Sequence, residues 1–132
     1  MKITADTNVL LRLVVPGDER QQKIAIETLK KAASVAISVH SLCEIAWVME
    51  RSYDAARPDI AAAIRGFMNT RNVVVNRPAV EAGLAVLDAG GDFADGVIAF
   101  DGQWHGGETF VSFDRKAIKL LKEQGIAAQL LK

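Results

Sequence analysis

The chain has 132 residues, 50% hydrophobic and 24% charged, and its sixteen basic and sixteen acidic side chains cancel to zero formal net charge. A chain of that length fits one domain that folds without a structural metal, and its single cysteine, Cys43, excludes an intrachain disulfide. The charge balance argues against a protein that coats nucleic acid by charge alone, but not against one that holds a phosphate through bound metal ions.

In chain order, Lys2 to Ala5 reads as a short strand ended by Asp6, and Val9 to Val15 as an apolar helical run stopped by Pro16. Glu19 to Ala33 has helical periodicity, with Ile24, Ala25, Thr28, Leu29 and Ala32 on its expected inner face. Val35 to Val39 is short and β-rich, as a buried parallel strand would be. Ser41 to Tyr53 returns to helical spacing with Ile45, Val48 and Met49 inward, and Pro58 to Thr70 predicts a helix with proline in its first turn. Val73 to Val75 is a third strand, Pro78 to Ala89 a helix ended by Gly90-Gly91, and Asp92 to Phe100 the start of another. Thr109 to Ser112 is a fourth strand, Arg115 to Gln124 a helix closed by Gly125, and Ile126 to Leu131 fits a last edge strand. Strands alternating with helices predict one α/β domain over residues 1–132, with a parallel sheet covered on both faces. No apolar run approaches the ~20 residues of a membrane helix, and the N-terminus turns polar too soon for a signal-peptide core. The expected location is the cytoplasm.

Four acids fall at related places in this scheme. Asp6 directly follows the first strand and Asp114 the fourth; Glu44 follows the second, and Asp95 opens the helix after Gly90-Gly91. Ligands of open α/β sheets bind at the carboxyl ends of strands, where helices begin. Each acid also has a plainer explanation. Asp6 and Asp114 are well placed to cap helices, as is Asp92 or Asp95, and Ser41-Leu-Cys-Glu44 matches a capping box. Capping predicts no shared location, so the joint placement favours a site, and a helix N-terminus can hold a carboxylate ionised for a metal. A set of hard oxygen ligands without histidine or thiolate selects Mg²⁺ or Mn²⁺.

The segments around these acids resemble a family. Asp6-Thr7-Asn8 after an N-terminal strand resembles the opening motif of PIN domains. Glu44-Ile-Ala-Trp47-Val-Met49, with Tyr53 beyond it, is similar to a segment of VapC-type toxins; so are Asp92-Phe-Ala-Asp95-Gly-Val-Ile-Ala99 and Gly107-Glu-Thr-Phe-Val-Ser112-Phe113-Asp114-Arg115-Lys116-Ala117. The resemblance runs in family order over nearly the whole chain. It implies a three-layer α/β/α sandwich with a short, mainly parallel central sheet, and an endoribonuclease dependent on Mg²⁺ or Mn²⁺. It further implies the toxin half of a toxin–antitoxin pair, an RNA substrate, a cognate VapB-like antitoxin, a homodimer, and contact with DNA only through the antitoxin. Carried over by position, Asp6 and Asp95 would be the principal metal ligands, with Glu44 and Asp114 completing the acidic set directly or through water. Asn8 and Ser112 would orient these carboxylates by hydrogen bonds. Gly96 departs from the alanine common in the family, Ser112 from the threonine, and Gly106-Gly107 from a Gly-Cys pair.

Other residues are weighed against ordinary roles. Asp92 reads as a cap or an outer neighbour of the ligands, Asp101 as solvated, and Cys43 as a small buried residue. Trp47 and Tyr53 read as core or dimer contacts. His40 and His105 are not required by the pattern, and Trp104 suits packing at least as well as stacking on a base. Arg115, Lys116, Lys119 and Lys122 form a basic run, by default a solvated face; Arg115 and Lys116 are the candidates for phosphate contact. The rival readings are a PIN-like binding or regulatory module without catalysis, and a flavodoxin- or receiver-like domain. The latter lacks a phosphate-binding loop and a convincing lysine partner here.

Overall fold

Alternation of short β-rich runs with longer amphipathic ones produces seven helices and five strands over residues 1–132 of the computed structural model. Two compact units make up the chain, Met1–Asn76 and Arg77–Lys132.

The first unit contains β1 (Lys2–Thr4), α1 (Thr7–Val14), α2 (Glu19–Lys31), β2 (Ser34–Ala36), α3 (Val39–Tyr53), α4 (Arg57–Met68) and β3 (Val73–Val74). The strands form a parallel sheet in the order β1-β2-β3, with Ile3 opposite Val35 and Val35 opposite Val73. Val35, on the central strand, is fully buried, as are Leu10, Leu42, Ile45 and Ile64 from three helices. Removal of each such side chain from water contributes about 1.5–3 kcal/mol.

Helix α2 buries less than its periodicity predicts. Only Ala25 is buried and Leu29 and Ala32 partly so, while Ile24 and Thr28 are exposed, as is Ile26. The helix packs mainly on α1, so a single neighbour covers a narrow stripe rather than a full face. Helix α3 starts earlier than expected. Ser38, not the Ser41 expected to form a capping box, is its N-cap and accepts the Ser41 amide at 3.0 Å. Both serines satisfy the local cap chemistry; β2 ends at Ala36, so the helix begins at the first of them. Trp47 and Tyr53 on α3 are exposed rather than part of the core, and the Arg51 guanidinium lies 5.7 Å from the Trp47 ring centre.

The carboxyl end of α2 is closed from a distance. The Asn72 side-chain amide donates to the carbonyls of Leu29 at 2.9 Å and Ala32 at 3.0 Å. These are terminal carbonyls that the helix itself cannot satisfy. Asn72→Asp replaces a double donor by a negative acceptor facing two carbonyls. It should cost about 2–3 kcal/mol in denaturant unfolding, whereas substitution of the exposed Asn69 in the preceding turn should stay within about 0.5 kcal/mol.

The second unit contains α5 (Arg77–Asp88), α6 (Phe93–Trp104), β4 (Phe110–Ser112), α7 (Arg115–Glu123) and β5 (Ala128–Leu130). The strands β4 and β5 pair in parallel, so every strand pairing in the chain is parallel, as the alternation predicts. Hydrogen bonding groups the strands as three and two. Val86, Ala99, Leu120 and Leu121 form a buried cluster with Phe110, Ile126 and Ala128 packed against it. Helix α6 is longer than the run that announced it, and α5 crosses it through two glycines, Gly83 and Gly96. Helix α7 closes with Gly125 at a φ of 80°, a conformation that costs glycine no Cβ clash. No helix in the chain is long and apolar enough to cross a membrane.

Candidate functional site

In the first unit, β1 ends two residues before Asp6, which adopts the extended conformation of an N-cap. Its Oδ1 accepts the backbone amide of Asn8, so the carboxylate is fixed at the mouth of α1. The contact from Asn8 is made by the main chain. Asn8 also lines an apolar groove of about 400 Å³ with Val9, Arg12, Ile24 and Ala25.

Glu44 lies in the second turn of α3, because Ser38 rather than Ser41 opens the helix. It is therefore not a capping residue. Its Oε1 lies 3.1 Å from Nε2 of His40, one turn earlier and largely exposed. The i,i+4 spacing of His40 and Glu44 was the sequence signal for this contact. Cys43 beside it is half-buried, and burial pushes its thiol up to about 11, which suits an inert packing role.

In the second unit, Asp92 holds the N-cap position of α6 without making a side-chain cap bond, and Asp95 follows in the first turn. Asp114 caps α7: its Oδ1 accepts the amides of Lys116 at 2.9 Å and Ala117 at 3.1 Å. The Asp114 amide donates in turn to the Ser112 hydroxyl at 2.9 Å, so Ser112 positions Asp114 through its main chain. Partial burial raises the Asp95 carboxyl above the ordinary range, and the charges of Asp92 and Asp114 raise it further. Both mechanisms disfavour the ionised form, and a cation would relieve both.

Asp6 and Asp114 are thus helix caps, as the plainer reading held, and each sits at the end of a strand, as the site reading held. Each cap engages only Oδ1. No group of three or more His, Cys, Asp or Glu side chains lies close enough together to hold a metal ion. The donor set of each unit is carboxylate oxygen, the chemistry that suits Mg²⁺ or Mn²⁺.

Arg115 and Lys116 occupy the first turn of α7 beside Asp114, both exposed. Cations are disfavoured at a helix N-terminus by about 0.3–1 kcal/mol, so their position is set against the helix dipole. Asp101 is exposed near the end of α6, and its backbone carbonyl lies 2.9 Å from Nδ1 of His105, the C-cap of that helix. Trp104 is 77% exposed and meets Phe100 edge-on, with ring centres 6.4 Å apart. Phe113, between Ser112 and Asp114, is 74% exposed; its motif position gave no warning of that.

The profile of the PIN domain matches residues 3–123, across both units. No curated protein matches the chain at a significant level. The match covers the segments that carry Asp6, Glu44, Asp95 and Asp114, and the α/β fold with parallel strands agrees with it. The chain therefore belongs to the PIN-domain family, whose members are generally metal-dependent nucleases.

Proposed function

We propose that this protein is an endoribonuclease that hydrolyses RNA phosphodiester bonds with Mg²⁺ or Mn²⁺ and acts as the toxin of a toxin–antitoxin pair. The observation that carries the reading is the position of Asp95 at the start of α6, where partial burial and the charges of Asp92 and Asp114 raise its carboxyl, within a nuclease family. Like charges are assembled there at a cost to the fold, which is expected where a site serves chemistry rather than stability. Asp6, Glu44, Asp95 and Asp114 would hold the metal. A bound ion would polarise the scissile phosphate and make water a competent nucleophile near neutral pH.

The side chains divide the remaining work. Asp6 and Asp114 are directed by the amides they cap. The Ser112 hydroxyl restrains Asp114 through its main chain, the main-chain amide of Asn8 restrains Asp6, and His40 restrains Glu44. Arg115 and Lys116 supply charge for the substrate phosphates. Purified protein should cleave RNA in Mg²⁺ and not in EDTA. The double variant Asp6→Asn/Asp95→Asn retains cap-competent side chains and should be folded and inactive; full Mg²⁺-dependent cleavage by it would falsify the reading.

In the same reading, the protein works in the cytoplasm as a homodimer and is neutralised by a small antitoxin. The antitoxin would present an Arg or Lys to the acids. The exposed Trp47 and Tyr53 of α3 support a second copy as the cover for that helix. Sedimentation should then give a dimer, reduced to a monomer by Trp47→Glu. A second reading, a PIN-like binding module without catalysis, is favoured by one observation: no three acids stand at metal-binding distance. Metal-independent RNA binding without cleavage would select it.

A further inference from the structure

We propose that the segment Phe113–Lys122 is a binding track for single-stranded RNA, in which Phe113 stacks on an unpaired base and Arg115, Lys119 and Lys122 follow the backbone. The inference rests on the RNA-directed reading above and extends it to residues outside the acidic set. Helix α7 is sharply two-sided. Ala117, Ile118, Leu120 and Leu121 are buried, while Arg115, Lys116, Lys119 and Lys122 are all exposed. Four cations and one acid, Glu123, share nine residues of a chain whose formal net charge is zero. None of the four cations makes an ion pair, Lys119 included, although Glu123 lies one turn beyond it. Arg115, Lys119 and Lys122 share one helix face, about 6 Å and about 4.5 Å apart along the axis. Long side chains at those intervals can reach successive phosphates of one strand.

The aromatic at the head of this stripe supplies the second observation. Phe113 exposes 74% of its surface although α7 begins two residues later with an apolar face available. The bond from the Asp114 amide to the Ser112 hydroxyl closes the turn around it. An exposed ring at the start of a cationic groove or ridge is the arrangement that binds single strands: stacking grips any base, and charge tracks the backbone. A duplex keeps its bases stacked inside and offers the ring nothing, so the surface selects unpaired RNA.

The test uses the full chain in EDTA, where cleavage is suppressed, and the fluorescence anisotropy of a short labelled single-stranded RNA. Arg115→Gln/Lys119→Gln/Lys122→Gln should flatten the slope of log affinity against log salt by about 2, since each phosphate contact on a single strand contributes about 0.7. Phe113→Leu should weaken binding about tenfold with the slope unchanged, and Phe113→Tyr should restore it. Every altered side chain is exposed, so the variants should melt with the parent. Unchanged affinity and slope in the charge and leucine variants overturn the proposal, as does equal affinity for a duplex of the same sequence. Cleavage in Mg²⁺ separates the two readings. RNA that is bound as described but never cut overturns the nuclease reading alone; RNA that is cut with binding indifferent to these variants overturns the track alone.

Discussion

The Asp95→Asn variant is expected to lose RNA cleavage by more than about 100-fold while melting at a higher temperature than the parent in EDTA. Loss of a hydrogen-bond partner that merely supports a metal ligand costs about 10–100-fold, and loss of a principal ligand should exceed that. The stability gain follows from the position of the carboxyl. Partial burial, then Asp92 and Asp114, raise its pKa in the folded chain. A raised pKa means that the folded state holds the proton more tightly than the unfolded state. The resulting stability is fully present below the unfolded pKa and is lost as pH rises through the folded one. At neutral pH the ionised Asp95 therefore opposes folding, and a neutral amide of the same shape removes that opposition. The helix dipole works the other way for an acid in the first turn, but the direction of the shift shows that desolvation and repulsion outweigh it. Three measurements check this. The parent's melting temperature in EDTA should rise as pH falls toward the carboxylate range, and the variant should lack that component. Mg²⁺ should raise the parent's melting temperature by mass action and leave the variant's unchanged. A variant destabilised in EDTA at neutral pH would contradict the electrostatic account whatever its activity.

Residues that act through their neighbours in sequence were readable in advance. The order of strands and helices, the stop at Pro16, the turn at Gly125 and the capping positions of Asp6 and Asp114 depend on local propensity and short-range hydrogen bonds. The four acids could be selected because each follows or opens a predicted element. What stayed hidden depends on distant partners. Ser38 and Ser41 are equivalent caps until the end of β2 chooses between them. The inner face of α2 is right in periodicity and wrong in extent, since no pattern reveals how many neighbours a helix will have. Asn72 looks like an ordinary loop residue, and its donors close a helix 40 residues away. The interaction of Asp95 with Asp92 was legible in their spacing on one helix, whereas that with Asp114 needed the fold.

Gly96 carries the same lesson to its largest energetic consequence. As a glycine inside α6, it reads as a weak point whose replacement should stabilise the helix by about 1 kcal/mol. The structure reverses the sign. A Cβ at Gly96 would stand 2.3 Å from the carbonyl oxygen of Ala82 and 2.9 Å from Cα of Gly83. Those atoms are the backbone of α5, so no rotamer change can relieve the contact, and the two helices must move apart. The approach is close from the other side as well, since a Cβ at Gly83 would meet the Phe93 ring at 2.6–2.9 Å. Overpacking of this kind costs about 1–3 kcal/mol or more, which outweighs the propensity gain. Gly96→Ala should therefore lower the melting temperature by several degrees. Activity should fall with it, because Asp95 is the adjacent residue and its relation to Asp92 depends on how the start of α6 is seated. Gly102 supplies the internal comparison: it lies on the same helix, and a Cβ added there would meet nothing within 4 Å. Gly102→Ala should show the propensity gain alone and melt at or above the parent. Two identical substitutions six residues apart would thus shift stability in opposite directions, and a Gly96→Ala protein as stable and active as Gly102→Ala would show that α5 and α6 are not held together through glycine contact.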